Sequence, residues 1–275
     1  MRLDLLIVER GLAESRSLAQ RLVMAGQVRV NGEIELKPST NVPPDASLEI
    51  DRGARFVSRG GEKLQAALDA FPITIQQQIC ADVGASTGGF TDCLLQNGAR
   101  RVFAIDVGKG ILHWKLRQHP RVVVMEGFNA RYIERLPEPV SLATIDASFI
   151  SLKLLLPVIR KWLHSQLDLL ESDFLQTGNS GVVALVKPQF EAGRSEAARG
   201  QGVVRDPQIH RRVLLDVISF AAQIGFQIQG LIRSPLLGPK GNVEFLAWLI
   251  LASAETIPPG DSQLEDLLAA IFANK

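Results

Sequence analysis

Asp82-Val-Gly-Ala-Ser-Thr-Gly-Gly-Phe-Thr-Asp92 follows the apolar run Ile79 to Val83 and leads into an apolar helix pattern. A glycine-rich turn between a strand and a helix lets backbone amides approach a ligand at the carboxyl end of a sheet, where open α/β folds bind their ligands. Asp106 closes the next apolar run about 20 positions on, where a carboxylate can accept hydrogen bonds from both hydroxyls of an adenosine ribose. A dinucleotide fingerprint would place glycine at positions 84, 86 and 89, but Ser86 occupies the middle one, where a diphosphate needs close backbone approach. The turn therefore favours a ligand without phosphates. S-adenosylmethionine fits, with its adenosine, no diphosphate, and an amino-acid end that such a turn can bind. The expected cofactor contacts are Gly84, Ala85, Ser86, Thr87, Gly88, Gly89, Phe90, Thr91, Asp106, Val107, Asn129 and Asp146.

Outward from this turn, apolar strand patterns at 79–83, 101–105, 121–125, 141–145, 181–186, 227–232 and 243–250 alternate with helical stretches. That alternation predicts an α/β, Rossmann-like, doubly wound and mostly parallel seven-stranded sheet. The clearest helix runs near 207–224, with Asp206 as N-cap, Pro207 at its first position and Gly225 past its end. The last two strands follow one another without a helix-length insert, which predicts an antiparallel strand at one edge. Upstream, residues 3–10 and 15–25 read as amphipathic helices, and Asn31-Gly32 after Val28-Arg-Val30 marks a hairpin. The expected domains are a small α/β module with its linker over 1–59, the large sheet domain over 60–255, and a helical tail over 256–275.

Hydrophobic residues make up 46% of the 275 and charged residues 21%, the composition of a folded globular chain. The longest apolar runs fall well short of the roughly 20 residues a membrane helix needs. Asp4, Glu9 and Arg10 deny the N-terminus the pattern of a secretory signal, so the expected location is the cytoplasm, with no membrane partner. Cys80 and Cys93 have no histidine at ligand spacing, and no metal is expected.

Five motifs in order, namely 82–92, Ser58-Arg-Gly-Gly-Glu-Lys63, Asp146-Ala-Ser-Phe-Ile-Ser151, Leu185-Val-Lys-Pro-Gln-Phe-Glu191 and Gly241-Asn-Val-Glu-Phe245, resemble the TlyA family of ribosomal RNA methyltransferases, also labelled haemolysin A. The catalytic domain of that family is of the FtsJ type. Residues 3–32, with Leu3-Asp4, Arg10-Gly11, Ser15-Arg16 and Val28-Arg-Val-Asn-Gly32, resemble the RNA-binding module named after ribosomal protein S-four. The resemblance implies S-adenosylmethionine-dependent 2′-O-methylation of a cytidine ribose in ribosomal RNA, with RNA or ribosomal subunits as partner and no obligate protein partner. It also implies a Lys-Asp-Lys-Glu tetrad, whose matching residues are Lys63, Asp146, Lys187 and Glu244.

The chemistry explains such a set. A ribose hydroxyl is a poor nucleophile at neutral pH, so its attack on a sulfonium methyl benefits from a base and from in-line positioning. Lys187 is assigned the proton and Lys63 the positioning, with the two acids holding the lysines. Exocyclic amine methylation usually uses Asp or Asn before Pro-Pro and an aromatic, where this chain has Asp146-Ala-Ser-Phe149. Pyrimidine carbon-5 methylation needs a cysteine nucleophile near that strand end, and none is there. The rival classes are an RNA-binding assembly factor without turnover and a membrane-active haemolysin.

Net charge is only +1, so an RNA surface must be read from local clusters. Arg10, Arg16, Arg21 and Arg29 face only Glu14 within residues 10–32. Arg100, Arg101, Lys109, Lys115, Arg117 and Arg121 form a second cluster opposed in sequence only by Asp106. Arg59 and Lys115 are expected RNA contacts, as are Arg194, Arg199 and Arg205 on a glycine-rich loop, 191–206, that reads as mobile.

Overall fold

The computed structural model describes residues 1–51, 53–163, 180–193, 196, 200–252 and 261–273. The chain divides into two compact units, Met1–Arg55 and Phe56–Lys275. The division falls a few residues before the expected one, because Phe56 is buried in the same apolar cluster as Leu64 and Phe90 of the large unit.

In the small unit, α1 (Leu3–Glu9) and α2 (Arg16–Met24) accompany a three-stranded antiparallel sheet ordered β2 (Glu33–Ile34), β1 (Val28–Val30), β3 (Leu48–Ile50). Ser15 caps α2 by accepting from the Leu18 amide, as its position before an apolar-periodic run suggests. Asn31 and Gly32 both have positive φ, 51° and 87°, the geometry an Asn-Gly hairpin turn requires.

The large unit holds a seven-stranded sheet. Its strands are β4 (Ile79–Val83), β5 (Arg101–Asp106), β6 (Val122–Glu126), β7 (Leu142–Ile145), β8 (Gly181–Val186), β9 (Phe226–Arg233) and β10 (Phe245–Leu251), in spatial order β6-β5-β4-β7-β8-β10-β9. Strands β4 to β8 pair in parallel, while β10 is antiparallel to both β8 and β9. The reversed strand is therefore one place in from the edge, not at the edge as the sequence pattern predicted. Helix α8 (Pro207–Gln223) carries the chain across to β9, and β10 then fills the slot left beside β8. Burial agrees: β10 is buried at all but its last residue, whereas β9 mixes buried, half-buried and exposed positions as an edge strand does.

Alternation along each strand sorts the apolar side chains onto two faces. Ala81, Val83, Phe103 and Ile105 join one core with α6 (Leu152–Ile159) and α8. Cys80, Val102 and Ala104 join the other with α3 (Gly60–Ala70) and α4 (Gly89–Gln96). The C-terminal helix α9 (Asp261–Ala273) adds Leu268, 1% exposed, to the first core, so that it is part of the packed unit and not a tail. Between β5 and β6 lies the short helix α5 (Trp114–Arg117), and α7 (Pro188–Glu191) begins directly after Lys187.

Candidate active site

The parallel strands end their carboxyl sides on two adjoining cavities. The larger, about 540 Å³, has Gly84, Ser86, Asp106, Val107, Asn129 and Asp146 among its lining residues, with Ile105, Phe128 and Leu155 adding apolar wall. The smaller, about 320 Å³, is lined by all four tetrad residues together with Arg59, Ala85, Thr87, Gly89 and Phe90. Gly84, Ser86, Asp146 and Ser148 line both, so the two chambers meet at the end of β7.

The turn between β4 and α4 needs its first glycine for two reasons. Gly84 has a φ of 85°, and a Cβ there would sit 2.7 Å from the Asp146 carbonyl oxygen. Asp106 braces the same turn, accepting from the Ser86 amide at 2.8 Å and from the Gly108 amide at 2.7 Å. Two of the expected contacts lie elsewhere. Gly88 is closed off by Leu112 and Leu116, which a Cβ would strike, and Thr91 is fully buried, its hydroxyl donating to Asp82 Oδ2 at 2.6 Å. Both shape the turn from beneath.

Asp82 was not among the expected site residues. Its carboxyl is fully buried under the turn, and burial, aided by the nearby Asp146 carboxylate, pushes its pKa up to about 7 against the pull of the Thr91 and Thr144 hydroxyls. A carboxyl whose folded pKa is raised binds its proton more tightly when folded, so stability falls as pH rises from about 4 to about 7. Asp82→Asn is expected to remove that slope, with a difference between the two proteins of at most roughly 4 kcal/mol by pH 8. Thermal melts of both proteins from pH 4 to 8 test this; parallel curves would contradict it.

Two lysine–acid pairs face the smaller cavity. Lys63 Nζ, on α3, donates to Glu244 Oε2 at 2.6 Å, and Glu244 is 1% exposed just before β10. Lys187 Nζ, at the end of β8, lies 2.6 Å from Asp146 Oδ1 and donates to Ser148 Oγ at 3.1 Å and to the Asp146 carbonyl at 3.4 Å. Gly238 is tight against Glu244: any Cβ there would collide with the Glu244 carboxylate. Gln189, two residues after Lys187, donates to Glu244 Oε1 at 3.5 Å. Ser148, Gln189 and Gly238 escaped the sequence reading as individuals, although the first two lie inside motifs it quoted.

Phe149 is 91% exposed, with a φ of 62°, and its ring lies 5.0 Å from that of Phe190. An exposed phenylalanine in the left-handed region is a strained arrangement of the kind that gathers at functional sites. Although Ala147 and Ser148 stand where amine methyltransferases have Pro-Pro, Phe149 still sets an aromatic face at the wall of the larger cavity.

The basic residues divide unevenly. Arg10 donates to the carbonyls of Ala46 and Pro44, and Arg16 to the buried Asp4 carboxylate at 2.9 Å, so both brace the small unit. Arg21 and Arg29 are exposed with only local contacts, to Ser17 and to the Gly32 carbonyl. In the second cluster, Arg100 and Arg101 pair with Glu138, Arg117 pairs with Glu126, and Arg121 donates to the Ala99 carbonyl. Glu138 lies 37 residues from Arg101 and Glu126 falls just beyond the run that ends at Arg121, which is why a linear count overstates the free charge. Lys115 is exposed over Trp114, its Nζ 5.9 Å from the ring centroid, and Arg59 is exposed at the rim of the smaller cavity. Arg194 and Arg199 lie outside the described residues. The later part of their loop is packed, not loose: Val203 and Val204 are buried, and the Val204 amide donates to Asn242 Oδ1 at 3.1 Å.

A seven-stranded sheet with one reversed strand, a glycine turn after β4 and an acid closing β5 define a Rossmann-like methyltransferase. Comparison with known proteins agrees: residues 56–251 match the FtsJ-like methyltransferase model and residues 1–48 the S4 domain model. The chain belongs to the FtsJ-like methyltransferase family. It is 48% identical over 255 residues to a Bacillus subtilis protein provisionally named rRNA methyltransferase YqxC, covering 90% of this chain and 85% of that one. To the Mycobacterium tuberculosis 16S/23S rRNA (cytidine-2′-O)-methyltransferase TlyA it is 44% identical over 252 residues, 90% and 89% of the two chains. A solved structure from Streptococcus thermophilus, provisionally described as a hemolysin, superposes with a TM-score of 0.69 at 44% identity over 98% of this chain and 94% of that one. Among the described residues no helix is long and apolar enough to cross a membrane.

Proposed function

We propose that this protein transfers a methyl group from S-adenosylmethionine to a ribose 2′-hydroxyl, that of a cytidine, in ribosomal RNA. One observation carries the reading: the two lysine–acid pairs converge on one small cavity that shares a wall with a nucleoside-sized one. The relatives' names supply the substrate class, and the S4 domain match supports an RNA partner for the small unit. The rim and surface cations Arg21, Arg29, Arg59 and Lys115 are assigned as RNA contacts.

The larger cavity suits the cofactor. Its apolar wall of Ile105, Val107 and Phe128 matches an adenine, Asp106 and Asn129 offer acceptors near a ribose, and Gly84 lets the backbone come close where an amino-acid end would lie. When bound there, S-adenosylmethionine supplies an electrophilic methyl on a sulfonium. Lys63, fixed by Glu244, holds the acceptor hydroxyl by donating to its oxygen. Once its ammonium has given a proton to solvent, Lys187 takes the hydroxyl proton at Nζ as the oxygen bonds the methyl, exchanging its long contact to Ser148 for the substrate oxygen, while Asp146 accepts from the amine and keeps it directed into the cavity.

Incubating undermethylated ribosomal subunits with labelled S-adenosylmethionine and mapping alkali-resistant linkages tests the reading directly. Label at a cytidine ribose is expected. Label on a base, or RNA binding without incorporated label, would replace it with a base methyltransferase or with a binding factor that does not turn over.

A further inference from the structure

A second polar cleft, about 420 Å³, opens between residues 200–205 and the turn at 239–241, with Arg205 and Lys240 on its wall. Both cations are exposed. Lys240 Nζ reaches only the Gln201 carbonyl, at 3.3 Å, and among the described residues neither it nor Arg205 has a carboxylate partner. The neighbouring acid, Asp206, is occupied in capping α8 by accepting from the Gln208 amide at 2.8 Å.

The backbone here is held in a costly form. Gln201 and Lys240 have φ values of 52° and 57°, and each precedes a glycine that is also left-handed. Non-glycine residues stay in that region only when their surroundings leave no alternative. Asn242, 3% exposed, provides the constraint: its Nδ2 donates to the carbonyls of Gly202 at 2.9 Å and Pro239 at 3.0 Å, and its Oδ1 accepts from Val204. His210 Nε2 meets the Val204 carbonyl at 2.8 Å from beneath. Two strained loops are thus stapled together so that two unpaired cations share one opening.

Its position gives the cleft a use. Pro239, next to Lys240, lines the tetrad cavity, and Gly238 abuts the Glu244 carboxylate. A strand whose ribose reaches that cavity carries a phosphate on either side of the sugar, and paired cations without a competing acid are what a backbone phosphate selects. We infer that the Arg205–Lys240 cleft binds a backbone phosphate of the RNA strand flanking the target ribose. Asn242 acts in this as a positioning residue, tying the phosphate site to the segment that bears Glu244. The inference rests on the RNA 2′-hydroxyl reading above.

The test uses the full chain and undermethylated ribosomal subunits, with Arg205→Gln, Lys240→Gln and the double variant. Each single change is expected to weaken subunit binding about tenfold and to lower the slope of log affinity against log salt by about 1, the double change by about 2. The loss should sit in KM for the subunit more than in kcat, and Lys240→Arg should recover most of it. Unaltered melting temperature and S-adenosylmethionine affinity confirm that the variants are folded. Wild-type affinity and salt slope in the double variant would overturn the phosphate site while wild-type protein still methylates ribose; absence of ribose methylation by the wild type would instead overturn the parent reading.

Discussion

Lys187→Ala is expected to lower methyl transfer by about 10²- to 10⁴-fold, the range that a positioned proton acceptor contributes. The residue is 6% exposed, and its nitrogen is fixed by Asp146 and Ser148 at the junction of the two cavities. Removing it takes away the amine at the end of β8 and leaves the walls of the larger cavity in place. S-adenosylmethionine affinity should therefore change little, and single-turnover rates should carry the whole effect. Lys187→Arg separates the two roles of the residue. A guanidinium can still pair with Asp146, but it does not give up a proton in proteins, so it preserves the contact and loses the chemistry. Loss of rate in both variants, with cofactor binding retained in both, is the expected outcome. Recovery of rate in Lys187→Arg would move the proton to another acceptor and leave Lys187 as a clamp on Asp146.

The parts of the molecule legible in the sequence were those governed by local pattern. Continuous apolar runs such as Val182 to Val186 announce strands covered on both faces, and Asp206-Pro207 announces a helix start, because the physical cause lies within a few residues. The place of β10 was not legible, since the spacing of β9 and β10 fixes their antiparallel pairing but not which of them takes the edge. Charge was misread for a related reason. Arg101 and Arg117 stand in a basic run, yet Glu138 reaches Arg101 across 37 residues and Glu126, just past the run, folds back onto Arg117. Likewise Arg16 carries the signature of an RNA contact while it helps hold Asp4, whose carboxyl is kept well below the usual range mainly by Arg2. The tetrad was found only because four motifs were recognised together; taken alone, Lys63 is an ordinary helix residue, and its partner Glu244 lies across the whole length of the unit.

That separation makes the Lys63–Glu244 pair the best place to ask whether a buried ion pair serves stability or chemistry. Glu244→Ala leaves the Lys63 ammonium in a site where its side chain is 9% exposed and no other carboxylate is paired with it among the described residues, a change expected to cost about 3–5 kcal/mol. At about 2–4 °C per kcal/mol for a unit of this size, the melting temperature should fall by roughly 6–20 °C. Loss of activity in that variant says nothing on its own, because a destabilised protein loses activity for many reasons. The double change Lys63→Met with Glu244→Leu resolves this. Replacing both members of a buried pair by apolar residues of similar size is neutral or stabilising, by up to about 4 kcal/mol, since neither charge has to be desolvated. The double variant is thus expected to melt at or above the wild-type temperature, to bind S-adenosylmethionine, and to be inactive on RNA, because no donor remains to hold the acceptor hydroxyl. A stable double variant that still methylates ribose would reduce the pair to scaffolding and leave the acceptor to be placed by Lys187 alone. A stable and inactive one would mean that the chain tolerates the desolvation of two charges at this point because the reaction needs them there.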